Sequence, residues 1–308
     1  MSTTTIKSDK SKSLWAYLNA YLQLMRPANI TTAWADILLG YAAAGAMTGN
    51  NFNLPILGWL ILSTTGLYGG GVVFNDVCDA QLDAVERPER PIPSGRASLS
   101  GAIALGTILL FLGIIAAAMV SSLSAIFAII VAVTALFYDK WGKHQTFLGP
   151  INMGMCRGGN LLLGVSAVVG AVSDRWYLAL IPIIYIAAIT AISQGEVHGG
   201  KKTTGIVAIA LVSIVITSIL SLGVLSEYRL LITLPFLALF TVLVLPPFIK
   251  AAANPTPELI QLAVKAGILS LIVLDASISA GFSNWIYGLS VLALLPLSRF
   301  LGRMFAVT

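Results

Sequence analysis

Long apolar stretches follow one another almost end to end along this chain, parted by short polar intervals. They fall at 28 to 47, 54 to 74, 99 to 118, 121 to 138, 149 to 171, 176 to 195, 203 to 225, 230 to 249, 257 to 282 and 286 to 304. Within each, the apolar positions are continuous rather than alternating, and each is close to the roughly 17 to 25 residues that carry a helix across a ~30 Å hydrocarbon layer. Barrel strands would be shorter and would alternate. The pattern therefore predicts an all-α, polytopic helical membrane bundle of nine to ten transmembrane helices. Since the longest polar interval is the 24 residues from 75 to 98, no separate soluble domain is expected, only loops capping the bundle.

Residues 1 to 25 stand apart. They lack the charged-then-apolar order and cleavage site of a signal peptide, so a retained, frayed tail is expected. Within it, Trp15, Leu18, Leu22 and Met25 share one helical stripe, which suits either a helix lying in the membrane surface or an extension of the first span. Residues 26 to 308 then form the membrane domain. Composition agrees, with 57% hydrophobic residues and a mean hydropathy of +0.89, well above the need of a water-soluble core. The net charge of +5 does not signal nucleic acid, because the positive side chains are sorted by topology. With the N-terminus inside, fourteen Lys and Arg fall in inward segments and only Arg175 and Arg229 in outward ones, the asymmetry of the positive-inside rule. The expected location is a bacterial inner (plasma) membrane, with both termini and the motif loops cytoplasmic and Trp176, Trp285 and Tyr287 near the outer interface. Cys78 and Cys156 fall in different environments and are expected to be free thiols.

Only 10% of residues are charged, yet "NDVCDAQLDAVERPERPIPSGR", residues 75 to 96, holds three aspartates, two glutamates and three arginines. If the second span continues as a helix past Phe74, Asp76, Asp79 and Asp83 sit at i, i+3 and i+7 on one face. Anions so placed repel unless a cation sits among them, and oxygen ligands without histidine or thiolate select a hard ion, Mg²⁺ before Zn²⁺. Such an ion completes its shell with water and substrate phosphate. The plainer alternative is a solvated acidic face in which Glu86 and Glu89 pair with Arg87 and Arg90. Against it stands "RPERPIPSGR", stiffened by three prolines, where Arg87, Arg90 and Arg96 are placed to clamp phosphate oxygens.

These residues resemble the UbiA-type intramembrane prenyltransferases. "NDVCDAQLD" is similar to their first aspartate-rich motif, and "RPIPSGR" to the segment that follows it. "MRPANITTAWAD", "YDKWGK" and "MCRGGNLLLG" add to the likeness. The resemblance implies a helical bundle open laterally to lipid, Mg²⁺-bound prenyl diphosphate at a cytoplasmic cap, and transfer of the prenyl group to a hydrophobic acceptor in the bilayer. It implies Asn75, Asp79 and Asp83 as metal ligands with Asp76 supporting, Arg26 and Asn29 near the diphosphate or acceptor, and Lys140 and Lys143 on the leaving diphosphate. The family's second motif, an aspartate pair after span six, stands here as "SQGEVHGGKKTTG". Glu196 is its one acid and a further metal ligand, while Gln194 and His198 occupy the aspartate positions. Protonated His198 is expected to contact the diphosphate, and Lys201 and Lys202 are either further diphosphate contacts or topology-setting charges.

Among charges inside apolar spans, Arg157 and Asn160 lie one helical turn apart on span five and are read as substrate ligands. Asp36, Lys265 and Asp275 carry no assignment, and no base that would activate the acceptor is evident. The function expected is Mg²⁺-dependent prenyl transfer. A degenerate member that binds a prenyl lipid without transferring it, as "SQGEVHGG" resembles the EboC-like branch, is the alternative, and an ion-coupled transporter is a weaker third.

Overall fold

The computed structural model describes residues 5–47 and 52–305, with side chains from residue 15 onward. The side chains of Lys7, Lys10 and Lys12, counted above as inward charges, lie outside the described residues, as do residues 1–4 of the tail. Fourteen α-helices are present among the described residues, and no strand. In chain order they are α1 (Thr5–Met25), α2 (Pro27–Ala43), α3 (Leu54–Cys78), α4 (Ala80–Glu86), α5 (Leu99–Ala118), α6 (Ser122–Lys140) and α7 (Leu148–Val165). The second half holds α8 (Ala171–Arg175), α9 (Leu180–Ser193), α10 (Lys202–Ser221), α11 (Leu230–Ala253), α12 (Pro257–Phe282), α13 (Trp285–Leu292) and α14 (Leu294–Met304).

Among the described residues eight segments are long and apolar enough to cross a membrane. They match eight of the ten expected runs. The other two runs form α2 and α7, which are shorter and carry the buried polar residues of the site. The last run is one crossing by length but is broken into α13 and α14 at Ala293. Local sequence signals set several starts. Asn53 Oδ1 accepts from the Ile56 amide, Ser98 Oγ from Gly101 and Ser121 Oγ from Ser124, each satisfying an amide that the first turn leaves without a partner.

The expected frayed tail is instead a helix from Thr5 onward. Trp15 and Leu18 of the proposed stripe are exposed, while Ala20 and Leu24, one turn apart, are buried against α3 and α5. Lys265 is exposed on α12 rather than buried. Tyr287 is not an interfacial ring either, since it is buried and its hydroxyl donates to the Leu38 carbonyl.

Two apolar cores meet at a shared wall. One joins α3, α5 and α6, the other α9 through α13, and both take residues from α2 and α7. These two helices cross closely: a Cβ on Gly40 would stand 2.3 Å from the Leu161 carbonyl oxygen, and one on Gly164 would stand 2.6 Å from that of Ile37. Glycine at both positions is what permits the approach. Helix α3 passes through Gly69, Gly70 and Gly71 unbroken. The end of the bundle where α3, α6, α9 and α11 finish and α2, α7, α10 and α12 begin carries the motif loops. At the opposite end Arg175 pairs with Glu227 at 2.7 Å.

Candidate active site

The helix of α3 does not continue through the acidic cluster. It ends at Cys78, Asp79 (φ −89°, ψ 0°) makes the break, and α4 starts at Ala80. Asp76 and Asp83 still converge on one guanidinium, that of Arg90, whereas Asp79, at the break, turns to Lys143 instead of sharing the face expected of all three. Each is paired with a cation, which offsets the cost of burying its charge. Arg90 Nη1 donates to Asp83 Oδ2 at 2.6 Å and to Asp76 Oδ1 at 3.3 Å, Arg26 Nη2 donates to Asp76 Oδ1 at 2.6 Å, and Lys143 Nζ donates to Asp79. Glu86 and Glu89 form no ion pair with Arg87 or Arg90. Arg26 joins α1 to α2 in the left-handed region (φ 48°), alone among described non-glycine residues. That conformation costs about 1–2 kcal/mol, which the ion pair with buried Asp76 offsets.

Below the cap lies a cavity of about 250 Å³. Arg26, Asn75, Tyr138 and Asp139 line its mouth, and Thr64, Tyr68, Arg157 and Asn160 its floor, with walls of Leu67, Gly71, Val72, Val131, Ala135 and Met153. From Asn75 to Thr64 along α3 is ~16 Å of helix rise. Asn75 Nδ2 donates to Asp139 Oδ1 at 2.8 Å, which fixes the amide and leaves its carbonyl oxygen free. Asp139 is buried and, among the described residues, is the lining carboxylate without an ion pair.

Several expected ligands stand elsewhere. Lys140 is exposed, with its ammonium 4.7 Å from the Trp141 ring centroid, one turn away from the inward Lys143. Arg96 staples its own loop, donating to Ser94 Oγ, the Glu89 carbonyl and Gln23 Oε1 on α1. Asn29 is half-buried in the first turn of α2 and outside the cavity lining. The loop after α9 reaches the cap through Glu196, whose carboxyl is pushed up by burial while the nearby Arg87 charge opposes the shift. His198, Lys201 and Lys202 are exposed. Gln194 and Lys201 line a separate pocket of about 300 Å³ against Pro255 and Ile260. The physical reason is the glycine turn at Gly199 (φ 83°), whose neighbour Gly200 donates to the Pro255 carbonyl and swings that part of the loop outward.

Arg157 and Asn160 do reach the cavity, but as parts of a buried network. Arg157 Nη1 donates to Asp36 Oδ2 at 2.7 Å and Nη2 to Thr32, while Asn160 Nδ2 donates to Asp36 Oδ2 at 2.9 Å and Asn160 Oδ1 accepts from Thr64 Oγ1 at 2.7 Å. Asp139 and Tyr68 escaped sequence reasoning. The signal for Asp139 lay in "YDKWGK", read only for its lysines.

Among the described residues no three His, Cys, Asp or Glu side chains stand together as a metal cluster. The donors nevertheless suit Mg²⁺: the free Asn75 carbonyl oxygen, the carboxylates of Asp79 and Asp83, and a buried Asp76 Oδ2 without a hydrogen-bond partner, all hard oxygens.

The sequence profile of the UbiA prenyltransferase family matches residues 33–258. The digeranylgeranylglyceryl phosphate synthase of Methanoculleus marisnigri is 31% identical over 196 residues, which cover 60% of this chain and 67% of that one. The synthase of the same name from Saccharolobus solfataricus is 29% identical over 180 residues, 58% of this chain and 61% of the relative, so the match spans about three fifths of the latter's length. The fold is shared with a solved digeranylgeranylglyceryl phosphate synthase (TM-score 0.65, 22% identity, 86% and 98% of the two chains). It is also shared with a UbiA homolog from Archaeoglobus fulgidus bound to GPP and Mg²⁺ (TM-score 0.60, 17% identity, 89% and 99%). With most of its length under the family profile and the acidic cap and cavity in place, the chain belongs to the UbiA prenyltransferase family and is a multi-pass membrane prenyltransferase.

Proposed function

We propose that the protein transfers a prenyl group from a prenyl diphosphate, bound with Mg²⁺ at the acidic cap, to a hydrophobic acceptor that enters from the bilayer. The observation that carries this reading is the junction of two environments. A cap where Arg26, Arg90 and Lys143 meet three aspartates opens directly onto an apolar-walled cavity between membrane helices. Diphosphate fits the first and an isoprenoid the second. The name shared by the relatives supports a lipid acceptor.

Asn75, Asp79 and Asp83 would hold Mg²⁺, with Glu196 facing Arg87 on the other loop; when bound, the ion supplies positive charge to the departing diphosphate. Arg26 and Lys143, held by Asp76 and Asp79, would face the same oxygens, so negative charge that develops there meets fixed donors. The allylic C–O bond breaks with its electron pair leaving on diphosphate, and the Tyr138 ring face at the mouth stabilises the allylic cation. The nucleophilic atom of the acceptor then bonds to the allylic carbon, and its proton passes to Asp139, held by Asn75. The motif end faces the cytoplasm in this reading, as the Lys and Arg distribution supports.

The test is incubation of purified protein in nanodiscs with labelled prenyl diphosphates of several lengths, Mg²⁺ and membrane lipid extract, followed by mass spectrometry. A Mg²⁺-dependent prenylated product is expected. Donor bound but recovered intact with every extract would overturn transfer and leave a prenyl-lipid-binding protein. Sidedness is read by cysteines placed at Ser98 and Ser173, which should label from opposite faces of intact cells.

A further inference from the structure

The floor of the cavity is polar where a hydrocarbon tail would need apolar walls. Arg157 is 5% exposed, sits in the membrane interior and lines the cavity. A guanidinium there is costly and is rarely kept without use. It is held in place on three sides: by Asp36 at 2.7 Å, by the Thr32 hydroxyl, and by the Tyr68 ring, whose centroid lies 5.4 Å from the guanidinium carbon. Those two hydrogen bonds use two of its five N–H donors. Among the described residues no other group takes the rest.

Charge decides what the free donors can take. Asp36 already neutralises Arg157, and Asp275 on α12, 1% exposed, interacts with Asp36. Asp36 Oδ1 and both Asp275 oxygens are buried without hydrogen-bond partners. A proton held between the two acids would partner one oxygen of each and leave the group uncharged as a whole. An anionic ligand would then face two carboxyl groups for one guanidinium. An uncharged oxygen meets open N–H donors and brings no charge.

We infer that Arg157, with Asp36 as its positioning residue, forms the acceptor-recognition site of this enzyme and selects an acceptor bearing an uncharged hydrogen-bond-accepting oxygen, such as a ketone, quinone or ether. The inference rests on the transferase reading for the word acceptor, but the site itself does not depend on it. Tyr68 and Asn75 lie seven residues apart on α3, ~10 Å of rise, so the oxygen sits about that far from the reacting carbon.

Three probes of matched shape test it by equilibrium dialysis against protein in nanodiscs: 4-hydroxyacetophenone, 4-methylphenol and 4-hydroxybenzoate, each with and without geranyl diphosphate and Mg²⁺. In the parent, the ketone should bind about tenfold more tightly than the methyl compound, the discrimination expected of a hydrogen bond from a charged donor, and more tightly than the anion. Arg157→Met should bring ketone and methyl compound to within about twofold, and Asp36→Asn should weaken the preference. Diphosphate affinity in the same samples reports whether each variant is folded. A parent that binds all three alike, binds none, or prefers the anion overturns the inference even if no variant folds. So does a ketone preference that survives in folded Arg157→Met. Loss of diphosphate binding in the parent, with the ketone preference intact, would instead sink the transferase reading and leave this site standing.

Discussion

Replacing Arg90 by methionine removes the guanidinium that spans two carboxylates of the cap. Its Nη1 lies 2.6 Å from Asp83 and 3.3 Å from Asp76, and the three side chains are 11%, 4% and 3% exposed. Asp76 keeps Arg26, whereas Asp83 is left with no cation. A charge-assisted hydrogen bond contributes about 1.5–3 kcal/mol, and stranding one member of a buried pair costs about 3–5 kcal/mol. The 3.3 Å contact adds little, and the cluster stands at the end of the bundle, so the expected loss is ~3 kcal/mol, at the lower end of that range. The assay is unfolding by SDS in mixed micelles, followed by tryptophan fluorescence in EDTA. Added Mg²⁺ should then restore more stability to Arg90→Met than it adds to the parent, because the freed Asp83 carboxylate lacks a counter-charge. A variant as stable as the parent in EDTA, or an equal gain from Mg²⁺ in both, would refute the view that Arg90 neutralises Asp83 in the cap.

Gly40→Ala sets a methyl 2.3 Å from a backbone oxygen that cannot swing aside and should cost ~1–3 kcal/mol in the same SDS titration; an unshifted midpoint would deny the close crossing. Glu196, raised above its ordinary 4.5 chiefly by burial, binds a proton more tightly folded than unfolded. Its contribution therefore declines as pH rises past 4.5 through the higher folded value, and Glu196→Gln should gain stability relative to the parent over that rise, with parallel pH curves as the contrary result. His198 stands exposed and outside the cavity, so prenyl diphosphate affinity against pH should superimpose for parent and His198→Gln. An acid-side gain lost in the variant would return the histidine to the site.

The bundle was legible because membrane helices announce themselves locally: a long apolar run must satisfy its own backbone. The cap was legible in its members but not in their pairing. Spacing along one ideal helix put Asp76, Asp79 and Asp83 together, but Asp79, at the break, pairs with Lys143, sixty-four positions away, which no local pattern reveals. Lys140 and Lys143 looked alike in sequence, and the end of α6 at Lys140 sent one to Trp141 and the other to Asp79. Asp36 and Arg157 were visible as isolated charges in apolar runs. Their partnership, 121 residues apart, comes from the Gly40–Gly164 crossing, a contact between two helices that neither sequence encodes alone.

The shared wall also orders assembly. The core of α3, α5 and α6 draws only on residues up to Val168, so a chain emerging N-terminus first can close it before α9 has been made. The second core cannot close alone, since Ala35, Leu39, Leu161 and Val165 belong to it and lie on helices already placed. The later helices thus dock onto a finished surface, as domains folding in order of synthesis do. A chain severed in the loop at Gly170 would yield a first fragment with its core complete and a second whose Tyr185, Phe240 and Phe248 await a template.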